Sequence, residues 1–89
     1  MMDHIFEGLP QDKWTEIVLN ASHSSSSVEL RRILERLAAM EILLEKRLGE
    51  TWEEELQYLL SSEEVSEEIH THTQNLAIES MGNILTQNE

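Results

Sequence analysis

Residues 28–48 read VELRRILERLAAMEILLEKRL, and the spacing of their apolar side chains decides the fold. At 100° per residue, Leu30, Ile33, Leu34, Leu37, Met40, Leu44 and Leu48 fall into one stripe, the pattern of an amphipathic helix. Lys46 and Arg47 complement the negative end of its dipole, and Gly49 is suited to the conformation that closes a helix. Upstream, Pro10 fits a first helical position and Asp12 a first turn. Trp14, Ile17, Val18 and Ala21 then follow at helical spacing, which predicts a helix over 10–21. Between the two helices, residues 22–27 read SHSSSS. Serine competes for backbone hydrogen bonds, so the stretch is expected to be a loop ending in a capping box of Ser26 and Glu29.

Downstream, Thr51 and Glu54 form a second capping pattern ahead of Trp52, Leu56, Leu59 and Leu60, predicting a helix over 52–61. Residues 61–64 repeat the pattern before Val65, Ile69, His72 and Leu76, predicting a last helix over 63–86. The spacing leaves open whether 52–86 is one helix or two. The expected architecture is all-α: one domain over 1–89, a small bundle of three to four helices completed by homodimerisation. An N-terminal arm at 1–9 and a frayed tail at 87–89 flank it.

Composition narrows the function. The chain has 89 residues and no cysteine, so disulfides and thiolate metal sites are excluded, and self-association is the stabiliser left to so small a core. Leu, Ile, Val and Phe number 24, enough for a folded chain. A net charge of −12 argues against direct binding of nucleic acid or of anionic membranes. Neither a bilayer-spanning run nor a basic, hydrophobic leader is visible, and the expectation is a cytoplasmic protein.

Two surfaces exceed the needs of a plain bundle. Ile42 and Leu43 lie more than 90° from the main stripe of 28–48, with Ala39 between them, so that part of the helix is apolar nearly all round. In the last helix, Ile78, Met81 and Leu85 turn away from the Val65–Ile69–Leu76 line in the same manner. These six residues are the expected partner or dimer interface. The second surface is electrostatic. Residues 50–68 hold eight glutamates and no lysine or arginine, whereas 28–48 carries five of the six basic residues. Glu53, Glu54, Glu55, Glu63, Glu64, Glu67 and Glu68 form an acidic face that either keeps the chain in solution or docks a basic partner.

Chemistry is sparse. His70 and His72 are two apart, which in a helix points them in nearly opposite directions, and only Glu68 shares a face with His72. Phosphate-cradling glycine loops and nucleophile elbows are lacking, and the glutamates cluster where water reaches them. The expectation is therefore a non-enzymatic protein without cofactor or metal. It would act as an adaptor, inhibitor or accessory factor, binding another protein through apolar helical surfaces. The alternative is an acidic mimic of nucleic acid that blocks a DNA- or RNA-binding protein.

Overall fold

A computed structural model describes residues 8–87 and contains four α-helices and no strand among them: α1 (Pro10–Asn20), α2 (His23–Leu48), α3 (Trp52–Ser61) and α4 (Ser66–Gln87). Most of the expected N-terminal arm, and residues 88 and 89 of the expected tail, lie outside the described residues, while Gln87 is the last residue of α4.

Proline opens α1, where its missing N–H costs nothing. The serine-rich segment is not a loop. Ala21 and Ser22 alone make the corner, and residues 23–27 form the first turns of α2. The physical reason is capping from an earlier residue than expected. Ser22, not Ser26, is the N-cap, its hydroxyl accepting the Ser25 N–H at 3.1 Å. Ser26 instead donates its hydroxyl to the Val18 carbonyl at 2.7 Å, tying α2 to the end of α1.

Gly49 ends α2 with φ +76° and ψ −153°, a conformation open to glycine and strained for other residues. A single 3-10 turn, Gly49–Thr51, leads into α3. The second half of the chain is two helices. Ser62 is extended and its hydroxyl accepts the Glu64 N–H, and Ser66 donates to the Glu63 carbonyl, so these serines hold a turn where 63–65 were expected to be helical.

α1 packs chiefly on α4, which also meets α2, while α3 rests on the 3-10 turn and the end of α2. The molecule measures 41 × 33 × 15 Å with a radius of gyration of 15.7 Å, whereas a compact 89-residue domain has about 12 Å. It exposes 7056 Å², against roughly 5,400 Å² for a compact monomer of this mass. The interior is correspondingly small: Ser25, Glu29, Ala77, Ser80 and Ile84 are buried. Of the residues expected in a core, Trp14, Ile17, Ile33, Leu44, Trp52, Leu56, Val65 and Ile69 are half-buried, and Leu30, Leu34, Leu37, Leu59 and Leu76 are exposed. The stripe of 28–48 exists, but one chain does not cover it.

Candidate functional site

The best-defined polar arrangement joins three helices. Glu29 on α2 is 1 % exposed. Its carboxylate accepts two hydrogen bonds from Arg32, at 3.0 and 2.9 Å, and one from the Ser80 hydroxyl of α4 at 2.5 Å. Ser80 in turn accepts the Trp14 indole N–H from α1 at 2.8 Å. Burial pushes the Glu29 carboxyl up. Hydrogen bonds from Arg32, Ser80 and Asn83, with the Arg32 charge, outweigh that and hold it below its ordinary value. The hydrogen bond to Glu29 raises Arg32 correspondingly.

The sequence pattern assigned Glu29 to a cap; it is instead the buried anchor. The signal was its angular position: Glu29 stands one turn before Ile33, on the side of the helix that meets α4. α4 turns a different face inward from the one expected. Ala77, Ser80 and Ile84 are buried, while His72 and Leu76, expected in its apolar stripe, are exposed. Small Ala77 and Ser80 let α1 lie close, and reciprocal hydrogen bonds between Gln11 and Gln74 fix one end of that contact.

These bonds account for every buried polar side chain described on α4, so the cluster pins three helices together. Among the described residues, no group of three or more His, Cys, Asp and Glu could hold a metal ion, and no helix is long and apolar enough to cross a membrane.

The apolar surface is far larger. Among the described residues, sixteen large hydrophobic side chains are exposed, whereas Ile84 and Ala77 are the buried hydrophobic residues. Ile42, Leu43, Ile78 and Leu85 are each more than half exposed, Ala39 is exposed, and Met81 is half-buried. A groove of about 460 Å³ runs between α1, α2 and α4, with Trp14, Ile33, Leu37, Met40 and Leu76 in its walls. A second hollow of about 450 Å³ lies between the end of α2 and α3, where Leu44 and Leu48 face Trp52, Leu56 and Leu59. The seven glutamates of the acidic face are all exposed and line the first turns of α3 and α4 and the turn between them.

A search of curated proteins found no match to the chain. The sequence model of a family described as a domain of unknown function, DUF2018, matches residues 6–89, and the chain belongs to that family.

Proposed function

We propose that this chain is a non-enzymatic protein-binding module that works through its apolar helical surfaces, part of which a second copy covers. One observation carries the reading: among the described residues, sixteen large hydrophobic side chains stand exposed beside a core of two buried hydrophobic residues. Three of them, Leu37, Met40 and Leu76, line one groove, and monomeric proteins seldom leave large apolar patches in water. The area left over, roughly 1,700 Å² beyond a compact monomer of this mass, exceeds the roughly 800 Å² each partner of a standard interface buries. Self-association supplies the stability that a cysteine-free chain of this size lacks, and the remaining apolar surface is available to a different protein.

Sedimentation of the wild type and of an Ile42→Glu/Leu43→Glu variant tests it. A dimeric wild type and a less stable, monomeric variant support the proposal. A wild type that stays monomeric at high micromolar concentration, with an equally stable variant, sinks it. The acidic reading has its own support in seven exposed glutamates, five of them in the first turns of α3 and α4, where a helix holds them rigidly, and two in the turn between. Binding of a basic protein that weakens steeply with salt would put the nucleic-acid mimic first.

A further inference from the structure

The groove between α1, α2 and α4 is too open to be a finished interior. Its apolar floor is flanked on the α4 side by Glu79 and on the α2 side by Arg36, which forms no ion pair among the described residues. Whatever fills it should bring apolar side chains together with carboxylates on the side that meets Arg36. Helix α2 fits less well: beside Glu35, Glu41 and Glu45 it carries Arg31, Arg32 and Arg36, which would set like charges together. Helix α3 qualifies. It is ten residues long, about 15 Å, has Glu53, Glu54 and Glu55 in its first turn, and contains no basic residue. In its own chain it rests chiefly on the 3-10 turn and the end of α2, where Trp52 and Leu56 are half-buried, leaving Tyr58, Leu59 and Leu60 exposed. Two such exchanges in a two-fold pair would draw on the roughly 1,700 Å² of surplus surface each chain presents, more than a stable dimer needs.

We infer that the groove seats helix α3 of a second copy, with the glutamates of that helix's first turn against Arg36. The inference rests on the self-association proposed above and adds which elements meet. Arg36 and Glu54 are both exposed, so changing them leaves the fold of a single chain intact. Arg36→Glu and Glu54→Arg should each weaken self-association about tenfold or more, and an equimolar mixture of the two variants should recover it, because only mixed pairs then match charge to charge.

The absence of cysteine gives an independent readout. An Arg36→Cys/Glu54→Cys variant, mildly oxidised, should run as a covalent dimer on a non-reducing gel. A disulfide closed within one chain, or no disulfide in a protein that sediments as a dimer, overturns the inference and leaves self-association standing. A protein that sediments as a monomer overturns both.

Discussion

The Ser80 hydroxyl donates a 2.5 Å hydrogen bond to the carboxylate of Glu29, fifty-one residues earlier in the chain. That bond is the centre of the buried part of the molecule: the same carboxylate holds Arg32, and the same hydroxyl receives Trp14. Glu29→Ala, which strands Arg32, Ser80 and Asn83, should cost about 3 kcal/mol in urea denaturation, the low end for a broken buried ion pair because Arg32 is partly solvated. Ser80→Ala should cost about 1–3 kcal/mol, as it leaves both the indole N–H and the carboxylate short of a partner. The double variant should cost less than the sum of the two.

The same carboxylate sets a dependence on acid. Its folded pKa lies below the ordinary value, so its stabilising contribution is complete above the unfolded pKa and is lost as pH falls through the folded one. Relief of repulsion among the exposed glutamates acts in the opposite sense. Comparing the wild type with Glu29→Gln isolates the buried group: the stability gap between them should be widest near neutrality and shrink below about pH 4. A gap that is constant from pH 7 to pH 3 would contradict the assignment.

Gly49→Ala should destabilise by about 1–3 kcal/mol. Beyond the adjoining backbone, nothing stands within 4 Å of where the new methyl would go, so the cost is backbone strain at φ +76°. The variant should also change how α3 is set against α2, visible as a shift in Trp52 fluorescence.

Leu37→Ala separates the properties of one chain from those of the assembly. Leu37 is 48 % exposed, so within a single chain its truncation should cost well under the roughly 2–5 kcal/mol typical of a core leucine. Under the proposed assembly the full cost appears at concentrations where the protein sediments as a dimer and fades on dilution. A loss below about 0.5 kcal/mol at every concentration would mean that the stripe faces water throughout.

The helices were legible because each obeys a local rule. The 3.6-residue period, Pro10, Gly49 and the acidic first turns located the helices, although α2 begins five residues before the expected 28, α4 three after the expected 63, and the spacing leaves open the division of 52–86 into two helices. The pin was not legible, because local patterns count a glutamate near a helix start as a cap and cannot see Ser80 arriving from the far end of the chain. The serine run misled for the same reason: Ser22 capping Ser25 turns a string of poor helix formers into a helix start. The displaced apolar residues Ile42 and Leu43 were readable as unaccommodated, and they are exposed; what remained invisible is that the main stripe, Leu34 and Leu37 included, is exposed as well. Periodicity tells which side of a helix is apolar, but not whether its cover comes from the same chain.

The 15 Å thickness of the molecule has a consequence for how it melts. Two packed helices, with axes about 8–10 Å apart and Cα cylinders about 4.6 Å wide, already span nearly that distance, so the described chain has no further layer over its exposed apolar side chains. If a second copy supplies that layer, folding and encounter are a single reaction. The melting temperature is then a function of how much protein is in the tube, rising steadily with each tenfold increase in concentration.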